Sequence, residues 1–425
     1  MKRSVVVVGG GFAGVACAKG LAKHGVDVHL IDRNNYHQFQ PLLYQVATAQ
    51  LGVPDIARPL RDIFTKHGTV RVTTGEVVAI DPDAKTVTLA DGGTIGGDVL
   101  VIAAGAKANF FGTPGADEHA YPLYSVDDAE RLRSRILGIM DAVDRDQKYL
   151  EHGAFNFVIV GAGPTGVETS GALSEMVKDV LPHFYPELPT LLVNVIVVDH
   201  APHVLNGFSE KSQAFATKAL EKDGVEFRFG TGVKEVHAGK VVLSDESEII
   251  THLVIWAGGL QASTVVGESG LPTGRGGRVD VEPDLTAPGF PDVFVIGDAA
   301  NITDQHGKPL PQLGSVAQQA GAWAAHNVIA NMSGNPTKPF EYHDKGIMAM
   351  VGRNAAVAEL GTDRHEITGP LAFAAWLGVH ASLLSGVREK VGALASWSQD
   401  YVSKKRPTAL VDHPEDYRID WDDEG

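Results

Sequence analysis

Several classes of protein are excluded by what this chain has little of. It carries one cysteine, Cys17, in 425 residues. That rules out an intrachain disulfide, a cysteine-built metal centre and a dithiol redox pair, and no metal site is expected. Cys17 lies among alanines in a helical stretch and reads as a buried, inert thiol. Basic residues are the minority, 36 Lys and Arg against 52 Asp and Glu, giving a formal charge of −16. Phosphate backbones need clustered cations, so nucleic acid is not expected as a partner. The first apolar run, Val5–Val8, is too short for a signal peptide and leads straight into glycines, so it is expected to be a first strand in a cytoplasmic protein.

Glycine is plentiful, at 48 residues, and much of it follows β-branched runs, where it punctuates strand ends. A hydrophobic fraction of 44% with 21% charged residues describes a globular chain. The length exceeds one ordinary core, so two or three domains are expected. A strand–glycine loop–helix unit occurs twice, at 4–32 and 155–199. Short strands are read at 70–73, 76–80, 86–89 and 99–103, and later at 226–229, 240–243 and 253–256. Helices are read at 125–152, near 315–332 and over 371–402, and the acidic end of the chain is expected to fray.

Chemistry concentrates in the two repeated units. The first reads Gly9-Gly10-Gly11-Phe12-Ala13-Gly14 after Val5–Val8, and Asp32 ends the following strand. Gly9 and Gly11 permit a tight turn and close backbone approach to a pyrophosphate, and Gly14 lets helix pack on strand. The helix start then offers free N–H groups to phosphate, and Asp32 can accept from ribose hydroxyls. The second reads Gly161-Ala162-Gly163-Pro164-Thr165-Gly166 and ends at Asp199. Asp199 repels a 2′-phosphate, and no arginine adjoins it, so NADH is expected rather than NADPH. Leu181–Pro189 reads as an insertion between helix and strand. Two such units imply two dinucleotides.

With these motifs the chain resembles the glutathione-reductase-like flavoproteins, and most closely the type II NADH:quinone oxidoreductases. Further matching stretches are Leu100–Gly105, Val295-Ile296-Gly297-Asp298, His37–Ala47, Val254–Gly259 and Gly346–Arg353. The resemblance implies an α/β fold of two Rossmann-like domains. FAD would take 1–112 and 280–340, and NAD(H) would take 113–279. Residues 341–425 would add strands and an amphipathic helical segment. It implies FAD contacts from Gly9, Gly11, Gly14, Asp32, Ala104, Gly105, Gly297 and Asp298. NADH contacts would come from Gly161, Gly163, Gly166, Asp199 and Gly258.

The resemblance also implies an acceptor. Disulfide and sulfide chemistry both need cysteines that this chain lacks, so electrons must leave to something else. The family's Ala-Gln-x-Ala-x-Gln motif, beside the flavin where quinone docks, reads here Gly314-Ser315-Val316-Ala317-Gln318-Gln319. Gln319 keeps the second glutamine; Ser315 departs from the first and leaves the acceptor open. Glu168, two residues beyond Gly166, is either a proton relay to quinone, as the resemblance implies, or a carboxylate suited to the first turn of a helix.

In the C-terminal segment Trp376, His380, Leu383, Val387, Val391, Leu394 and Tyr401 recur at helical spacing, widened by Leu377, Leu384 and Trp397. With Arg388, Lys390, Lys404, Lys405 and Arg406 nearby, 371–406 is expected to lie on the cytoplasmic face of a membrane, or else to form a core or homodimer interface. The expected function is hydride transfer from NADH to FAD and then two electrons to a quinone. A soluble NADH diaphorase and a slow redox-sensing protein remain as alternatives.

Overall fold

The computed structural model describes residues 3–421. The chain divides into two compact units. The first comprises residues 1–38, 57–107 and 260–344; the second comprises 39–56, 108–259 and 345–425. The expected separate segment at 341–425 therefore falls almost wholly within the second unit, and 260–279 falls in the first.

The first unit is built on a six-stranded sheet in the order Thr286–Ala287, Phe290–Val295, Val99–Ile102, Ser4–Val8, Asp27–Asp32, Val70–Thr74. Its central strands are parallel and buried, which is why they read as unbroken β-branched runs rather than alternating ones. Val8 pairs in register with Ile102, and Ile102 with Val295, so these three strands end together. The loops at Gly9, Ala103 and Ile296 thus share one edge, the carboxyl edge where such sheets bind ligands. Helices Phe12–Lys23 and Gly314–Met332 cross closely, because a Cβ at Gly20 would press on Ala325 and one at Gly321 would overlap the Ala13 carbonyl.

The second unit repeats the plan. Its parallel sheet runs Ala120–Pro122, Leu253–Trp256, Asn156–Val160, Asn194–Asp199, Val225–Phe229. The duplication extends to an antiparallel three-stranded meander in each unit, at 77–96 and 233–250. Short edge strands such as Val233–Val236, whose two middle residues are charged, are too short to show a clear alternation and escaped the sequence reading.

The strands expected after residue 341 are present as a hairpin, Gly346–Gly352 and Ala355–Leu360, joined by a third strand, His365–Thr368. The helical segment that follows departs from expectation in two ways. The expected single helix is two, Pro370–Leu383 and Val387–Ser403, because the chain turns extended at Leu384 and Gly386 caps the second. The expected stripe also splits. Trp376, His380, Leu384 and Trp397 are buried, whereas Leu383, Val387, Val391, Leu394 and Tyr401 are exposed.

The end of the chain does not fray within the described residues. Arg131 holds Asp416 in a bidentate pair, Arg133 bonds Asp412, and Trp421 stacks on Tyr149. Gly138 makes room for this strap, since a Cβ there would overlap the Tyr417 carbonyl. The acidic residues 422–424 lie outside the described residues.

Candidate active site

Both glycine loops are shaped for a pyrophosphate. Gly9 and Gly161 turn at φ +102° and +105°, a region that disfavours side chains. A Cβ at Gly14 or Gly166 would overlap the carbonyl of the first glycine in its own loop. A Cβ at Gly11 or Gly163 would meet nothing within 4 Å, so backbone faces open space there. Gly11 and Gly163 are the N-caps of Phe12–Lys23 and Pro164–Glu175; neither helix start is capped by a side chain or flanked by a first-turn acid. Two positively polarised helix ends without a side-chain cap, with open space at Gly11 and Gly163, fit the diphosphates of FAD and NAD(H).

The acidic strand ends have a matched job in each unit. Asp32 accepts from Gly10 N–H at 2.5 Å and Asn34 N–H at 2.7 Å. Asp199 accepts from Ala162 N–H at 2.6 Å and Ala201 N–H at 2.7 Å. Each carboxylate thus ties its glycine loop to the turn after its strand, keeping one lone pair per oxygen for a ribose hydroxyl. Burial pushes the Asp32 carboxyl up, opposed by the two N–H groups.

Gly105 and Gly297 turn at φ +68° and +67° at the same sheet edge as Gly9, next to Ala104 and Asp298. Asp298 is half-buried within the turn 297–299. In the second unit a cavity of about 340 Å³ is lined by Gly161, Asp199, His200, Gly258, Trp256 and Phe111. Trp256 is locked there by an indole bond to the Asn109 carbonyl at 2.8 Å. His200 packs so tightly over Gly232 that a side chain there would strike its ring. The sequence-chosen Asp199 and Gly258 are brought together here.

Glu168 is the fifth residue of Pro164–Glu175, beyond the first turn, so the helix-end reading of its charge does not hold. Its carboxylate accepts from Met350 N–H at 3.1 Å. Burial raises its pKa to about 8, against the pull of that N–H and of the nearby Trp376 indole, which falls short of a hydrogen bond. At neutral pH the group holds a proton.

Ser315 and Gln319 lie on Gly314–Met332 in the first unit. Ser315 Oγ pairs with Tyr342 OH at 3.0 Å. Both ends of the Gln319 amide are engaged by the His343 backbone, at 3.0 and 3.1 Å. Gln319 thereby anchors the segment after its helix, a structural task that its motif position did not announce.

The sequence reading singled out no cavity in the second unit, yet one of about 420 Å³ lies among Tyr44, Phe373, Leu377, Met350, Leu394 and Trp397. Gln45 accepts from the Trp397 indole at 2.7 Å, and the Trp376 ring stacks on His380 at 3.9 Å. Burial lowers His380 to about 4, so it is neutral. At the polar end Arg406 pairs with Asp400 at 2.8 Å and Glu175 at 3.1 Å, and Arg353 pairs with Glu175 at 2.9 Å. Arg406, expected to face lipid, is only 1% exposed, and Lys404 bonds Asp179 at 2.6 Å. The available signal was a Tyr-Gln pair inside the wholly buried helix Leu43–Ala47.

Residues 3–321 match the family model of the pyridine nucleotide-disulphide oxidoreductases. The chain is 38% identical to the type II NADH:quinone oxidoreductase NdhA of Mycobacterium tuberculosis, over 95% of this chain and 88% of that one. It is 31% identical to the type II NADH:quinone oxidoreductase of Staphylococcus saprophyticus, over 84% and 89%. The solved structure of NDH2 from Plasmodium falciparum in complex with NADH shares the fold at a TM-score of 0.88 and 18% identity, covering 96% of this chain and 100% of that one. The chain belongs to the pyridine nucleotide-disulphide oxidoreductases and, within them, to the type II NADH:quinone oxidoreductases.

Proposed function

We propose that this protein oxidises NADH and reduces a quinone through bound FAD. The pair of glycine loops, each with an open helix end and a carboxylate tie, carries the reading. When bound, FAD supplies the chemistry, accepting hydride from NADH and passing two electrons onward. Cys17 is fully buried and its thiol is pushed up to about 12, so no thiol route competes. Asp199 selects NADH by repelling a 2′-phosphate. Glu168, protonated at neutral pH, holds a proton for an acceptor that must gain two to become a diol. Ser315 with Tyr342 supplies a hydroxyl pair where the family has glutamine.

Leu371, Val379 and Leu383 on the first C-terminal helix are exposed, as are Val387, Val391, Leu394 and Val402 on the second. The latter four recur at helical spacing, so they form one outward face. With Arg388, Lys390 and Lys405 beside it, this supports a peripheral seat on a lipid surface. Among the described residues no helix is long and apolar enough to cross a membrane. The cavity beneath these helices suits the apolar body of a quinone. Steady-state NADH oxidation tests the reading: a quinone should accelerate turnover far beyond oxygen or buffer, whereas equal rates would leave a diaphorase or a sensor.

A further inference from the structure

The backbone of Gly10 is held at both its N–H and its carbonyl. Its N–H donates to Asp32, and its carbonyl oxygen lies 2.9 Å from His37 Nδ1. The matching residue of the second loop, Ala162, is held by Asp199 on its N–H side, but its carbonyl accepts from the Leu205 backbone N–H at 2.8 Å. Any residue but proline at 205 could supply that bond. At 37 only a side-chain donor of the right reach can. A carbonyl oxygen only accepts, so His37 carries its proton on Nδ1. Burial, with Lys19 and Arg58 nearby, lowers His37 to about 4, leaving the ring neutral with its lone pair on Nε2.

The ring does a second thing. Phe12, the first residue of the helix after the loop, packs edge-on against it at 5.3 Å between centroids. Helix Gly314–Met332 begins against Phe12, for a Cβ at Gly314 would lie 3.3 Å from the Phe12 ring. His37, Gly10, Phe12 and Gly314 all belong to the first unit.

We propose that His37 is a positioning residue for the flavin: its Nδ1–H fixes the Gly10 carbonyl and so keeps the first glycine loop in the shape that holds a diphosphate, while its ring seats Phe12 against the helix that carries Ser315. This rests on the FAD reading of that loop. The two loops differ in how that carbonyl is held, one by a side chain and the other by a backbone N–H.

Asn and Gln separate the roles of the two ring nitrogens. An Asn amide nitrogen sits where Nδ1 does, and a Gln amide nitrogen sits nearer to Nε2. The dissociation constant for FAD of the full chain would be measured for H37N, H37Q and H37A, with NAD⁺ affinity and Tm alongside. Losing one hydrogen bond should weaken FAD binding by about tenfold in H37A and H37Q, and H37N should stay within about threefold of the unmutated chain. NAD⁺ affinity should not change, because its loop is held by Asp199 and the Leu205 backbone and not by His37. FAD affinity unchanged in all three variants, or lost equally in H37N and H37A, would overturn the proposal. An unmutated chain that binds no FAD would instead overturn the flavoprotein reading beneath it.

Discussion

Glu168 accepts a hydrogen bond from the backbone N–H of Met350 at 3.1 Å, and Met350 also lines the apolar cavity of the second unit. A proton-holding carboxyl is thereby tied to the wall of the space proposed for the acceptor. Glu168→Gln should slow flavin reoxidation by quinone by about a hundredfold, the low end for general acid catalysis, and leave reduction by NADH nearly unchanged. Stopped-flow traces of the two half-reactions check this. Impairment of the reductive half alone would make Glu168 a nicotinamide-positioning group.

The raised pKa sets a pH dependence. The folded protein keeps the Glu168 proton up to about pH 8, while the unfolded chain releases it near 4.5. Between these values the native state binds the extra proton, so this group's contribution to stability falls as pH rises from about 4.5 through about 8. The quinone step should fall over the upper part of the same window. In Glu168→Gln both profiles should flatten, as read by denaturant titration and by reoxidation rates across pH.

Asp199→Ser should narrow the preference for NADH over NADPH by about tenfold, the worth of removing one partly screened like-charge contact. The kcat/KM ratio for the two cofactors measures it. An unmutated protein equally fast with both would contradict the role given to Asp199.

Arg406→Met should destabilise the protein by about 3–5 kcal/mol, because Asp400 and Glu175 would keep buried charge with half their partners gone. The shift in denaturant midpoint reports it. The same substitution at exposed Arg388 should cost under about 0.5 kcal/mol.

The proposed lipid face calls for point changes rather than truncation. Cutting at 371 would strip the strap from Arg131 and Arg133 and leave Arg133 buried without Asp412. Val387→Glu with Val391→Glu should weaken co-sedimentation with anionic vesicles by about tenfold or more, since a charge replaces apolar area at each site, and leave flavin reduction intact. Unchanged co-sedimentation would return the face to a homodimer contact.

The residues that were legible share one property: their partners are close in sequence or fixed by a strand end. The glycine loops, Asp32 and Asp199 are set by a local turn and by the end of the strand that follows the helix, so motif and strand pattern place them even across the insertion before Asp199. Tyr44, Gln45, Trp397 and Arg406 meet only because 39–56 returns to the C-terminal helices, more than 300 residues later, and no local pattern encodes that. Arg406 read as a basic flank of a membrane-surface helix because its carboxylates, Glu175 and Asp400, lie on other elements. Gln319 was legible as a motif position, but its bond to His343 depends on how the chain leaves the helix.

The most direct test of the central claim is a two-step anaerobic experiment on the purified holoprotein. NADH should bleach the flavin absorbance, and a short-chain quinone added next should restore it far faster than oxygen does. A flavin that NADH does not bleach, or one that quinone recolours no faster than oxygen, would contradict the account.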